Sequence, residues 1–142
     1  PIFLTDVAMY TYISNLFKNN KVFPVRGDLT EGTAMASIAK EAREANIPVR
    51  VIYMSNAEDY FSYKTQYREN FYQMYFDEKS VILRTQAISK TDYRYYIQSS
   101  SNFISWLKHP KTRSVRSMFN TRTKIPNKEG GYLLDKDPPE VD

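Results

Sequence analysis

The sequence predicts an α/β fold in which a mostly parallel sheet is flanked by helices, with an antiparallel strand at its edge. The chain has 142 residues, about one domain, and 42% of them are hydrophobic, a composition typical of folded proteins. Segments with helical and strand-like patterns alternate with short connections, the order typical of parallel sheets with right-handed crossovers. The last two strands are joined by about eight residues, so we expect them to pair antiparallel.

The first half of the chain predicts helix, strand, helix and strand in turn. Asp6 precedes apolar residues at helical spacing, which predicts a capped helix ending near Asn20. Residues 22–26 predict a short strand, and its Pro24 favours an irregular start. A helix over 33–45 and the strongest strand of the chain, 49–54, follow.

The second half predicts a long helix, two strands and a short helix. Ser55 and Glu58 have the spacing of a capping box, and tyrosines continue at helical spacing to Tyr75. Strands are predicted over 81–84 and 93–98 and a helix over 101–107, so the predicted domain covers 1–119. Residues 120–142 predict a loop and an acidic tail.

Cysteine and histidine usage excludes several classes of site. The chain has no cysteine, which rules out disulfides, thiolate metal sites and cysteine nucleophiles and leaves the compartment open. Its one histidine, His109, rules out a two-histidine metal site, and we interpret it as a surface residue. The sequence therefore predicts no catalytic and no metal-binding residue. The longest apolar-looking run, 95–107, is too short and polar to span a bilayer.

Positive charge is concentrated in residues 108–128, which hold seven basic residues and no acidic one. Phosphate or nucleic-acid binding is one interpretation. The acidic residues of 129–142 neutralise this charge in part, and few aromatic residues interleave with it, so a solvated segment is the simpler interpretation. The basic residues are Lys108, Lys111, Arg113, Arg116, Arg122, Lys124 and Lys128.

Three segments follow a recognisable pattern. One predicted strand ends in Gly27-Asp28, the next is followed by Ser55-Asn-Ala-Glu-Asp-Tyr60, and the third ends in Leu83-Arg84. This pattern resembles an uncharacterised bacterial family with a methyltransferase-like Rossmann fold, over roughly residues 3–119. The resemblance implies a Rossmann-like fold equivalent to the C-terminal half of a class I methyltransferase.

The resemblance also implies where a cofactor would bind. In such proteins the front half carries the glycine-rich loop that holds S-adenosylmethionine, but Gly27 and Gly32 are five residues apart and do not form that fingerprint. We therefore expect no cofactor in this chain, and S-adenosylmethionine only if a missing N-terminal half supplies the loop. An isolated half-sheet would expose an open edge, which predicts a missing N-terminal segment or a homo-oligomer as partner.

Two polar corners are candidates for a ligand site. Asp28 and Thr30 follow the first predicted strand, and Ser55, Asn56 and Glu58 follow the second. Ligands of open parallel sheets bind beyond the carboxyl ends of the strands, so we expect these corners to be neighbours around a small polar ligand. Glu58 could act as a general base if its pKa were raised. Ordinary turn and capping roles are the alternative.

Two arginines and a series of tyrosines leave further alternatives open. Arg26 and Arg84, at predicted strand ends, could bind an anionic ligand or pair internally with Asp28. The tyrosines at helical spacing could form a stacking platform or one face of the core. These tyrosines are Tyr60, Tyr63, Tyr67, Tyr72 and Tyr75.

Three functions are therefore compatible with the sequence. The first is a non-catalytic or vestigial Rossmann-like domain that binds a small polar ligand or a protein partner. The second is the back half of an S-adenosylmethionine-dependent methyltransferase whose cofactor loop lies outside this chain. The third is a nucleic-acid binder that uses residues 108–128. Whether the protein is an enzyme stays open.

Overall fold

The computed structural model describes residues 4–90 and 92–140. The ends of the predicted domain 1–119 and of the predicted tail 120–142 reach residues 1–3 and 141–142, which lie outside the described residues. The helices are α1 (Val7–Lys18), α2 (Thr33–Glu44), α3 (Thr65–Tyr72), α4 (Ser100–Lys108) and α5 (Arg116–Phe119), with a 3₁₀ helix over Ala57–Tyr60. The strands are β1 (Val51–Ser55), β2 (Val81–Ala87), β3 (Tyr93–Ser99), β4 (Thr123–Lys124) and β5 (Gly131–Leu133).

The strands form one open sheet in the order β1-β2-β3-β5-β4. β1 pairs with β2 and β3 pairs with β5 in parallel, whereas β2 with β3 and β5 with β4 are antiparallel. The α/β fold class and the antiparallel pairing of β2 with β3 are confirmed. The predicted edge position of the antiparallel strand is wrong, because β5 pairs with the free side of β3 and places it at the centre.

Residues 22–26 do not form the predicted strand. Pro24 has no N–H to donate to a ladder, and Phe23 and Val25 instead line an apolar cavity beside Ile38 of α2. Among the described residues, β1 pairs only with β2. The two polar corners therefore do not follow neighbouring parallel strands, and that prediction is wrong.

Helix α1 forms as predicted but is not packed into the core. The Asp6 carboxylate caps it by accepting a hydrogen bond of 3.0 Å from the Met9 N–H. No residue of α1 is buried, and Val7 and Phe17 are 82% and 61% exposed. The apolar stripe of α1 is therefore uncovered.

The long helix predicted from Ser55 to Tyr75 is interrupted. Ser55 ends β1 with a φ of 50°, Asn56 precedes the 3₁₀ helix, and no side chain caps that helix. Residues 61–64 then separate the 3₁₀ helix from α3. The predicted capping box is wrong, because the Glu58 carboxylate turns into the core and binds Arg84.

The core lies between one face of the sheet and helices α3 and α4. Ile82 and Tyr96 point from the sheet into it, and the Phe71 and Phe103 rings meet edge to face with centroids 5.0 Å apart. Met35 and Ala39 are the buried residues of α2, which packs against α3. The opposite face of the sheet, called the outer face below, carries no helix among the described residues.

The predicted tail supplies two strands. β5 joins β3, and Tyr132 of β5 stacks on Tyr96 with ring centroids 5.5 Å apart. Further along, the Trp106 indole N–H donates to the carbonyl of Lys136 at 2.9 Å. The loop predicted for 120–142 is therefore wrong over 123–124 and 131–133, because long-range pairing with β3 orders this segment.

Candidate functional site

A buried ion pair lies where β1 and β2 end. The Arg84 Nε–H donates to Glu58 Oε2, and the two side chains are 1% and 3% exposed. Glu58 Oε1 also accepts hydrogen bonds from the hydroxyls of Tyr63 at 2.5 Å and Tyr67 at 2.8 Å. Both oxygens of the carboxylate are therefore committed to protein donors.

The ion pair continues into a chain of polar side chains. Arg84 Nη1 donates to Gln98 Oε1 at 2.8 Å, and Gln98 Nε2 donates to Asn102 Oδ1 at 2.7 Å. The guanidinium also lies 4.5 Å from the centroid of the Phe103 ring, and its Nη2 has no hydrogen-bond partner among the described residues. The space beside this cluster is too small for a water molecule. The cluster is therefore closed, with no room for a substrate.

Burial and charge act together on the ionisation of these groups. Burial first, and the Glu58 charge second, raise the pKa of Tyr63 and Tyr67 well above 10.0. Burial alone would lower the pKa of Arg84, but the charge of Glu58 raises it overall. The cluster therefore holds a charged guanidinium and two neutral phenols.

Stability is expected to fall as pH rises above about 10. The raised pKa values of Tyr63 and Tyr67 mean that the folded protein retains protons which the unfolded chain releases near pH 10. The linked stability is complete below the unfolded pKa and is lost as pH rises through the folded pKa. Urea midpoints between about pH 8 and about pH 11 measure this slope. It should be shallower in a Tyr63→Phe, Tyr67→Phe double variant, and an unchanged slope would contradict the assignment.

The two predicted corners line different cavities. Ser55, Asn56 and Glu58 line the closed space beside Arg84, whereas Thr30 lines an open cavity of about 600 Å³. The Ser55 hydroxyl lies 3.5 Å from that of Thr85 on β2. A site shared by both corners is therefore not assembled as the sequence predicts.

Asp28 organises its own turn. Its Oδ1 accepts hydrogen bonds from the N–H and the hydroxyl of Thr30, both at 2.7 Å, and these bonds lower its pKa. Arg84 pairs with Glu58 and not with Asp28, so the predicted partner is wrong. Arg26 is exposed, and it forms no ion pair with any described residue.

Several other sequence-based interpretations can be placed. Tyr63 and Tyr67 are buried, as the core interpretation of the tyrosines predicts, whereas Tyr60 is 80% exposed. His109 is buried, so its assignment to the surface is wrong; its ring lies edge to face with that of Trp106, with centroids 6.4 Å apart. The seven basic residues of 108–128 are exposed.

The outer face is a surface that the sequence analysis did not identify. It consists of every second side chain on the three consecutive strands β1, β2 and β3; Thr85 is buried, the others are half-buried or exposed, and none is charged. The strand register aligns Tyr53, Leu83 and Ile97 in one row across it. Its members are Val51, Tyr53, Val81, Leu83, Thr85, Ala87, Tyr93, Tyr95, Ile97 and Ser99.

The outer face is exposed as well as apolar. Val51 and Tyr53 are 57% and 58% exposed, and Tyr95 and Ile97 are 50% and 37% exposed. Contiguous apolar patches of this kind on soluble domains mark interaction sites. Alternation along β3 gave no signal for this surface, because it would place Tyr95 and Ile97 in the core, whereas Gln98 is buried instead.

Two structural findings bear on other classes of site. No helix within residues 4–90 and 92–140 is long and apolar enough to cross a membrane. In the same ranges, no three acidic or histidine side chains gather in a way that could hold a metal ion.

Comparison with known proteins places the chain in a family. A family model described as "Domain of unknown function (DUF7790)" matches residues 1–133. The match covers more than half of the chain, and the chain therefore belongs to this family. It includes all three segments that carry the sequence resemblance described above. No curated protein matches the chain.

Proposed function

We propose that this member of the DUF7790 family is a non-catalytic, Rossmann-like domain that associates with a second copy of itself through the outer face. The observation that carries the proposal is the uncharged, exposed row of side chains across β1, β2 and β3. A sheet face of this composition needs a second layer of helices or strands to cover it.

Helix α1 of the second copy supplies that layer. Its apolar residues Val7, Tyr10 and Phe17 are 82%, 54% and 61% exposed, and no residue of the helix is buried. The outer face carries no charge, and Lys18 in the last turn is the charged residue of α1. Packing α1 on the outer face therefore buries little charge and brings no like charges together. Reciprocal exchange of α1 would cover both outer faces in a symmetric dimer.

A dimer interface of standard size needs about 800 Å² from each partner, so we expect both the outer face and the α1 stripe to be buried in it. The edge of β1, which has no partner strand within residues 4–90 and 92–140, borders the same face. An uncovered apolar patch would otherwise favour nonspecific aggregation.

The non-catalytic part of the proposal rests on Glu58. It is the residue for which the sequence suggests a general-base role, and its carboxylate is held by Arg84, Tyr63 and Tyr67. A general base must reach a substrate proton within hydrogen-bond distance. A carboxylate that is 3% exposed in a closed cluster does not have that access.

Charged substitutions on the outer face are expected to separate the dimer. Tyr53→Asp and Ile97→Asp place an unpaired carboxylate in the interface, and we expect each to weaken dimerisation at least about 30-fold because burying such a charge costs over 2 kcal/mol. Phe17→Asp in α1 should weaken it similarly. Sedimentation equilibrium over a concentration series measures the dissociation constant.

Tyr60→Asp is the matched control, because Tyr60 is 80% exposed and belongs to the 3₁₀ helix, not to the outer face. It should leave the dissociation constant unchanged. A wild-type chain that stays monomeric at about 100 μM would contradict the proposal, since specific interfaces of this size associate more tightly. Circular dichroism confirms that each variant is folded.

The back half of a methyltransferase is a second candidate. β1 runs parallel to β2 and its other edge has no partner among the described residues, so further parallel strands could extend the sheet there. S-adenosylmethionine would then bind to a glycine-rich loop outside this chain. A strand–Gly-x-Gly–helix sequence encoded immediately upstream would support this candidate, and its absence from the gene would remove it.

A further inference from the structure

An open cavity of about 600 Å³ lies between the turn before α2 and the segment that leads into α3. Thr30 and Glu31 line one side, and Tyr60, Phe61, Lys64 and Gln66 line the other. Its volume is in the range of small-molecule sites. Tyr60, which lines the cavity, is the last residue of the 3₁₀ helix that follows β1.

The walls of this cavity are held rigidly. The side chain of Asn70 is fully buried, and its Nδ2 donates to the carbonyls of Leu29 at 2.9 Å and Glu31 at 2.8 Å. Gln66 Nε2 donates to Asn70 Oδ1 at 2.9 Å, which joins the two sides. One buried amide therefore fixes the turn that carries Glu31 against α3, which prepares the cavity for a ligand before it arrives.

Two opposite charges line the cavity without meeting. Neither Glu31 nor Lys64 takes part in an ion pair with any residue in 4–90 or 92–140. Their charged groups are consequently too far apart to pair directly. A molecule carrying both an ammonium and a carboxylate could contact both side chains at once.

An aromatic side chain adds to this arrangement. Tyr60 is 80% exposed, which leaves a large ring uncovered at the cavity. The ring of Phe61, which also lines the cavity, packs on Tyr67, with centroids 5.1 Å apart. A ligand with an apolar or aromatic body would cover the Tyr60 ring and gain contact area from it.

We propose that this cavity binds a small zwitterion of the amino-acid class, with Glu31 facing the ammonium, Lys64 facing the carboxylate and Tyr60 covering the apolar body. Thr30, one of the residues that the sequence assigns to a ligand site, supplies a hydroxyl at its edge. Asp28 positions that residue through its two hydrogen bonds to Thr30. This site is separate from the outer face, and its occupancy does not depend on dimerisation.

Three probes that share one skeleton test the proposal. L-phenylalanine carries both charges, phenethylamine lacks the carboxylate and 3-phenylpropionate lacks the ammonium. Titrations of the full chain followed by amide NMR shifts should show saturable binding of L-phenylalanine at Thr30, Tyr60 and Gln66. Each single-charge probe should bind about tenfold more weakly, because one charge-assisted contact is lost.

Variants then assign each charge to its residue. Glu31→Gln should weaken the binding of L-phenylalanine about tenfold and leave the affinity for 3-phenylpropionate unchanged. Lys64→Met should also weaken the binding of L-phenylalanine about tenfold, but leave the affinity for phenethylamine unchanged. Glu78→Gln and Lys79→Met, in an exposed turn elsewhere, are the matched controls. The proposal would be overturned if the amide shifts did not saturate at L-phenylalanine concentrations up to about 10 mM, since even a small ligand should bind within that range. Equal affinity for all three probes, or binding that neither site variant weakens, would also overturn it.

Discussion

Replacing Glu58 with glutamine is expected to lower the free energy of unfolding by about 3–5 kcal/mol. The substitution leaves the Arg84 guanidinium, which is 1% exposed, without its counter-charge in the core. A buried charge that loses its partner keeps the desolvation cost and loses the compensating attraction. Urea unfolding at neutral pH, followed by circular dichroism, measures the change.

Two further variants separate this effect from the loss of a hydrogen bond. Glu44→Gln breaks the exposed pair between Lys40 and Glu44, whose charged atoms are 3.6 Å apart, and should cost less than about 0.5 kcal/mol. Adding Arg84→Met to Glu58→Gln removes the unpaired charge, so the double variant should regain much of the lost stability. A Glu58→Gln protein as stable as the wild type would show that the pair is solvated and not part of the core.

The Arg68→Ala variant is expected to lose about 2–4 kcal/mol of stability, through several hydrogen bonds from one charged side chain. The Arg68 guanidinium donates from Nε to the carbonyl of Tyr63 at 3.1 Å, and from its two Nη atoms to the carbonyls of Leu107 and Thr112. It therefore ties α3 to the end of α4 and to the loop that follows. Without it, three carbonyls around the core lose a donor.

The Arg68→Lys variant separates the contribution of hydrogen-bond geometry to stability from that of the positive charge. A lysine keeps the charge but cannot donate along three fixed directions, so we expect it to recover less than half of the loss. Arg116→Ala, at an exposed position of α5, should change stability by less than about 0.5 kcal/mol. Full recovery by lysine would mean that the charge alone matters. Thermal and urea unfolding of all three variants make the comparison.

Some elements of the fold follow from local patterns. The strand β2 and the capped helix α1 form where spacing and the side chain of Asp6 predict them. The predicted pairing of β2 with β3 is also correct, because a short connection between two strands favours antiparallel hydrogen bonding. Such features depend on residues close together in the chain, so the sequence contains the information directly.

Other elements depend on contacts between residues that are far apart in the sequence, which compete with local preferences. Glu58 has the spacing of a capping residue, but Arg84, 26 residues away, binds its carboxylate and the predicted helix breaks. Residues 131–133 have weak strand character, but pairing with β3 recruits them into the sheet. A contact between distant segments can outweigh a local preference of about 1 kcal/mol.

The candidate sites likewise include features that follow from the sequence and features that follow only from the tertiary structure. By itself the sequence determined the class of fold, the strands β1, β2 and β3, and the polar residues that follow β1. Only the tertiary structure decided that Glu58 is enclosed, that Thr30 lines an open cavity and that one face of the sheet is left uncovered. The physical reason is that burial depends on which helices pack on which face, and alternation along a single strand does not specify this.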